Sequence, residues 1–273
     1  MSGWRVPVLA YHASRVEGPG YEGNDHVALA ADLALLARLG WRVVPLAWVV
    51  EQRLGLADRD LSRCVALSAD DGTVMDVEPV DYPGQGRQPG FLACLRAAEA
   101  MHPDVHLTSF VIADPDARAR MDARCLHGLG WMGEHWWAPA AATGRIAVEC
   151  HGWDHNHPEL EGTGPEAMPR GDFFVVDSPA RAAFEIDQAV HYLNARLAPG
   201  RCRLFAYPFG HANDFLRREY LPSQGPRLGL QAAFGTQGEP VTAGSDPWCL
   251  PRYVSGWHWR TPEALAALLA DAA

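Results

Sequence analysis

The sequence predicts an α/β fold built on a mainly parallel sheet, and two observations carry that reading. Short apolar runs with strand character alternate with longer runs of helical spacing from one end of the chain to the other. Polar residues suited to chemistry recur where those apolar runs end, which is where parallel α/β architectures gather their sites. With 273 residues and 48% hydrophobic content, one large core is within reach. No repeat, low-complexity segment or linker divides the chain, so residues 1–273 are read as a single domain.

Taken in order, Val6 to His12 reads as a first strand ending in the polar pair Tyr11-His12. Residues 27–39, rich in Ala and Leu, read as a helix stopped before Gly40. A brief strand at 41–45 and a helix at 46–54 follow, then the buried strand Arg63 to Leu67 that runs into Ser68-Ala69-Asp70-Asp71-Gly72. Residues 76–90 hold three prolines and three glycines and read as a long loop placed to shape a mouth. A helix at 91–101 and a strand at 106–112 come next. The mixed segment 115–144 groups Trp131, Trp136 and Trp137 around Glu134 and His135, as either the packing of an irregular insert or a sugar-facing wall. Strand 145–150 runs into His151-Gly152-Trp153-Asp154-His155, followed by a polar loop over 159–177. Ser178-Pro179 caps a helix that reaches Pro199. Strands at 202–207, 232–234 and 249–254 precede a last helix capped by Thr261.

Composition narrows the partners. A net charge of −10 argues against nucleic acid or an anionic membrane and suits a small or neutral substrate. The six cysteines form no CxxC pair and read as reduced thiols, several of them in apolar runs. No leader of basic-then-apolar character opens the sequence, so a cytoplasmic location is expected, and no apolar run is long enough to span a bilayer.

The chemistry concentrates in four places: Tyr11-His12, Asp70-Asp71, His151 with His155, and Pro208-Phe209-Gly210. Two adjacent carboxylates at the end of a buried strand repel and are costly to desolvate unless a cation or hydrogen bonds compensate. Side chains alternate along a strand, so the two part company only if the chain turns, and Gly72 supplies a turn. One carboxylate can then face a metal while the other acts as a base; the plain alternative is a solvated Asp-Asp-Gly turn. His-x-x-x-His offers two imidazoles to one ion, and with Asp71 makes three protein ligands, leaving positions open for water. His157 adds a third imidazole, but the 151/155 spacing is the one that suits a shared ion.

In order, Leu9-Ala10-Tyr11-His12, Ser68-Ala69-Asp70-Asp71-Gly72, Thr108-Ser109-Phe110-Val111, His151-Gly152-Trp153-Asp154-His155 and Phe205-Ala206-Tyr207-Pro208-Phe209-Gly210 resemble the polysaccharide deacetylase (NodB-homology) family, over roughly residues 6–260. The resemblance implies a distorted (β/α) barrel, often of seven strands. It also implies one divalent ion, commonly zinc, with cobalt, nickel or manganese as alternatives. The activity it implies is hydrolysis of a non-peptide carbon–nitrogen bond, releasing acetate from an N-acetylated amino sugar or polysaccharide.

The same resemblance assigns Asp70 as base and Asp71, His151 and His155 as metal ligands. It assigns the Phe209 N–H to the oxyanion, with Tyr207 beside it at the substrate. Asp154 is expected to orient a ligand imidazole. Two positions depart from the family: Ala69 replaces an aromatic, and Ala206 stands where an arginine often supports the base. The acid is expected to be His258, in Trp257-His258-Trp259, with His12 in reserve. The rival readings are another metal-dependent C–N or ester hydrolase on this scaffold, or a homologue that binds carbohydrate without turnover.

Overall fold

The computed structural model describes residues 4–160 and 168–273, so the 161–167 part of the expected polar loop lies outside the described residues. Its centre is a parallel sheet of eight strands. In chain order these are β1 (Val8–Tyr11), β2 (Arg42–Val44), β3 (Cys64–Ala69), β4 (Leu107–Val111), β5 (Ile146–Cys150), β6 (Leu204–Ala206), β7 (Ala232–Phe234) and β8 (Tyr253–Val254). Seven of them follow one another round a curl in the order β7-β6-β5-β4-β3-β1-β8, and the short β2 pairs with the start of β3. The parallel α/β sheet read from the sequence and the distorted barrel that the resemblance implies are therefore the fold.

The segment Leu250–Val254 draws the two ends of the curl together. Leu250 bridges Phe234 of β7, while Tyr253 and Val254 pair with Leu9 and Ala10 of β1. Period-two alternation divides each strand between two environments. On β3, Val65, Leu67 and Ala69 join the large outer core beneath the helices. Cys64 and Ala66 join a smaller inner cluster with Phe110, Ala206, Phe234 and Leu250, which fills the barrel.

The helices form for local reasons. The Asn24 side chain accepts the His26 and Val27 N–H groups and caps α1 (Asp25–Arg38), which packs on α3 (Phe91–Ala98) and on the last helix, Pro262–Ala272. Between them in sequence lies α2 (Leu46–Arg53). Ser178 caps a helical run to Leu197 as expected, but its turn Ala183–Asp187 is widened to π-type spacing.

In three loops and inserts the structure changes or completes the reading. Residues 76–90 are not an open loop: Val80–Tyr82 and Gly86–Gln88 pair as a hairpin. In the 115–144 segment, Pro115–Cys125 and Trp137–Ala142 are helical, and Trp131, Trp136 and Trp137 are all buried. These tryptophans are packing and make no sugar-facing wall, because Arg118 lies over Trp137 and clamps Glu134 across the insert. A helical run from Leu216 to Leu228, read as nothing from the sequence, carries an internal Pro226. Among the described residues no helix is long and apolar enough to cross a membrane.

Candidate active site

The inward alternation of β3 passes from Ala66 to Ser68 to Asp70, so Asp70 points into the barrel mouth at the strand's end. There it meets a cation that the sequence did not announce. Arg252, fully buried in the closing segment, donates from Nη1 to Asp70 Oδ1 at 2.6 Å and from Nη2 to Oδ2 at 2.9 Å. The guanidinium is itself fixed, by Ser68 Oγ at 3.2 Å, by the Gly235 carbonyl at 3.2 Å and over the Phe110 ring at 5.3 Å. Burial pushes the Asp70 carboxyl up, but the Arg252 charge, helped by His151, outweighs it and holds Asp70 well below the usual carboxylate range. With Ala206 at the end of β6, the cation beside Asp70 arrives instead from the barrel's seam.

Asp71 leaves the strand in a left-handed conformation (φ 71°), as does Gly72 (φ 69°). Only glycine fits at 72, since a Cβ there would lie 2.4 Å from Val111 Cγ1. This turn swings the Asp71 carboxylate across to the end of β5. Asp71 Oδ1 lies 3.8 Å from His151 Nε2 and 3.7 Å from His155 Nε2. These three atoms form the one group with metal-holding spacing among the described residues.

The donor set fits a divalent ion. His151 Nδ1 lies 2.8 Å from the Ala206 carbonyl, a contact only an Nδ1–H can satisfy, so the tautomer available to a metal is the one whose lone pair is on Nε2, toward Asp71. Atoms this far apart can share an ion at bonds of roughly 2 Å. Burial, followed by the neighbouring imidazoles, drives the His155 pKa well down and keeps it neutral, the form that ligates. His155 (φ 65°) and Phe209 (φ 58°) share the left-handed backbone of Asp71. Each such residue costs on the order of 1–2 kcal/mol, a concentration of strain that marks functional sites.

The His-x-x-x-His segment is a loop, not a helix, and the buried carboxyl group of Glu185 holds it. Glu185 Oε2, carried by the π-type turn, accepts the Trp153 N–H at 3.1 Å and the Asp154 N–H at 3.4 Å. Asp154 bonds to Asn156 N and Arg170 within its own loop, which differs from the expected bond to a ligand imidazole.

A cavity of about 320 Å³ opens over the cluster, reached by Asp70, Asp71, His151, His155, Phe209 and His12. His12 follows Tyr11, whose carbonyl accepts the Asp70 N–H at 3.0 Å, and its own N–H donates to Asp25 Oδ2 at 2.7 Å. His157 also lines the cavity, 6.0 Å from His155 ring to ring.

Two expected site residues are placed elsewhere. Tyr207 is buried, with its hydroxyl donating to the Trp248 carbonyl at 2.8 Å, because its side chain continues the outer face of β6. His258 lies outside the cavity lining: its Nδ1 accepts the Val254 N–H at 2.8 Å and its ring stacks on Trp257. Sequence reasoning missed Arg252, Asp25 and Glu185, none of which sits in a motif. Only the cost of two adjacent carboxylates at a buried strand end signalled that a cation or hydrogen bonds had to meet them.

The sequence matches the polysaccharide deacetylase family over residues 58–222, more than half of the chain. No curated protein matches it in a direct comparison. Among solved structures, the Streptococcus pyogenes deacetylase PplD, in complex with acetate, superposes with a TM-score of 0.65 at 18% identity, covering 98% of this chain and 99% of that one. IcaB from Ammonifex degensii gives 0.62 at 19% identity, over 99% and 97%. The polysaccharide deacetylase BC0361 from Bacillus cereus gives 0.64 at 16% identity, over 98% and 69%. At these identities the likeness is one of fold.

Proposed function

The chain belongs to the polysaccharide deacetylase family, and from that premise we propose that it is a metal-dependent hydrolase removing N-acetyl groups from an amino sugar or its polymer. One observation carries the reading. A ligand triad of Asp71, His151 and His155 stands beside a buried carboxylate, Asp70, that is locked in its ionised form. Asp71, His151 and His155 would hold the ion, zinc or another divalent metal of similar size. When bound, it supplies a Lewis acid that polarises a carbonyl and lowers the pKa of water.

The chain's own residues do the rest. Asp70 takes a proton from the attacking water as its oxygen bonds to the acetyl carbon. The Arg252 fork fixes which way the carboxylate faces, so the lone pair it offers is already aimed. The Phe209 N–H, in the left-handed turn after β6, is the donor for the developing oxyanion. When the C–N bond breaks, the nitrogen needs a proton. His12 supplies it, since it lines the cavity beside Asp70 whereas His258 does not. The Arg252 fork weakens the reading of a non-catalytic binder, because it restores the support that Ala206 had removed.

The test is acetate release from a panel of N-acetylated sugars and oligosaccharides with added zinc or cobalt. Wild type is expected to turn over and Asp70→Asn to lose at least ~100-fold while keeping its metal. Full activity in Asp70→Asn would refute the assignment.

A further inference from the structure

Beside the catalytic cavity lies a second, of about 540 Å³, lined among others by Ser14, Arg15, Glu17, Tyr82, Ser255 and Gly256. His12 lines both. The turn after β8 forms the ridge between them: Val254 and Trp257 face the first cavity, Ser255 and Gly256 the second. We propose that the two cavities form one continuous cleft, with the second a subsite for the neighbouring sugar of an oligosaccharide and Trp257 the platform between them. The proposal deepens the reading given above and rests on it.

Three features of the turn support a binding role. Trp257 is 67% exposed, the most exposed of the large hydrophobic side chains described, and so it has a free face at the cavity mouth. Its ring is nonetheless fixed, stacked on His258 with centroids 5.1 Å apart and planes at 25°. His258 is pinned in turn by the Val254 N–H. An indole held open to solvent costs little entropy when a flat apolar sugar face covers it. This gives His258 a role suited to its position, which is orienting Trp257 rather than protonating a leaving group.

The floor of the second cavity is equally prearranged. Asp25, fully buried at the start of α1, binds Arg15 Nη1 at 2.9 Å, Ser255 Oγ at 2.9 Å and the His12 N–H. Arg15 packs on Gly256 (φ 78°) so closely that a Cβ there would lie 2.5 Å from the guanidinium carbon. Asp25 pairs with Arg15 and the Glu17 carboxylate lines the same cavity, so the subsite offers hydrogen bonds to hydroxyls and no unpaired cation to an anion. Tyr82, from the hairpin after Asp71, closes the far side with its ring tilted on Trp131 at 5.2 Å. One carboxylate thus aligns the proposed acid and the subsite together.

The experiment compares kcat/KM for acetate release from N-acetylglucosamine and its linear trimer, in wild type, Trp257→Ala and Tyr82→Ala. Wild type is expected to favour the trimer at least ~tenfold, and that preference to fall toward unity in both variants. Equal kcat/KM for monomer and trimer in wild type, or a preference that survives both substitutions, overturns the subsite. Titration calorimetry of the trimer into Asp70→Asn, repeated with Trp257→Ala added, reads binding separately. If wild type releases no acetate but the trimer binds through Trp257, the hydrolase reading fails and the cleft stands. No binding overturns the cleft.

Discussion

Replacing Arg252 by Met removes the fork from a carboxylate that is only 6% exposed. Burial is the largest influence on Asp70 and acts upward; the Arg252 charge is the largest opposing one. With the arginine gone the balance reverses, and Asp70 escapes the cost of an unpaired buried charge by taking up a proton. Breaking a buried pair by removing one partner costs about 3–5 kcal/mol. The sign of the pH dependence follows from linkage. In the wild type the depressed carboxyl contributes stability present above its unfolded value of 3.8, lost only as pH falls through the folded value, so nothing is lost from pH 5 to 9. In Arg252→Met the folded value is raised instead, so the variant's stability deficit grows as pH climbs through it. Activity moves the opposite way, because each pH unit below the new pKa costs about tenfold in ionised base. The assays are the pH profile of kcat/KM and thermal denaturation at pH 5 and 8. At pH 6 Arg252→Met is expected to lose at least ~100-fold and to recover part of it by pH 9, with Arg252→Lys between the two. A variant with the wild-type pH profile and a deficit below ~1 kcal/mol would refute the role given to Arg252.

Four further outcomes are expected. Asp71→Asn and His155→Ala should each lower zinc affinity by at least ~100-fold, read by chelator competition, with melting temperature little changed in the presence of chelator. Glu185→Ala should weaken zinc binding ~10–100-fold although Glu185 touches no ligand atom, because the Trp153 and Asp154 N–H groups lose their acceptor. Burial raises Glu149 to about 8 and Asp76 to about 7. Both therefore contribute stability that is full below their unfolded values and lost as pH rises through 7 and 8, so melting temperature should fall between pH 6 and 9, by less in Glu149→Gln. Gly72→Ala should cost about 2–4 kcal/mol in denaturant unfolding, from left-handed strain and the clash with Val111.

The parallel α/β sheet was legible in the sequence because its strands are short apolar runs that end at polar signals, as in Cys64–Ala69 before Asp70 and Ile146–Cys150 before His151, while its closure into a barrel was implied only by the family resemblance. The cluster of Asp71, His151 and His155 was legible for the same reason: every member lies within five residues of a strand end. What the sequence hid depends on long-range closure. Arg252 meets Asp70 across 182 positions, and nothing in Pro251-Arg252-Tyr253 indicates that this segment will seal the barrel. His258 looked like an acid because of its place near the end of the chain, yet one backbone N–H turns its ring away from the cavity. Three tryptophans in one segment left packing and a sugar-facing wall both open, and their burial, with Arg118 and Glu134 beside them, decides for packing. The Leu216–Leu228 run was missed because Pro222, Gly225 and Pro226 mask its helical spacing.

The most direct test of the account measures bound metal and acetate release together, in wild type and Asp70→Asn, on an N-acetylglucosamine oligomer before and after chelation. The account requires one divalent ion per chain in both proteins, acetate from wild type alone, and loss of that activity on chelation with recovery on adding zinc or cobalt. Acetate release that persists without metal, or in Asp70→Asn, would contradict it.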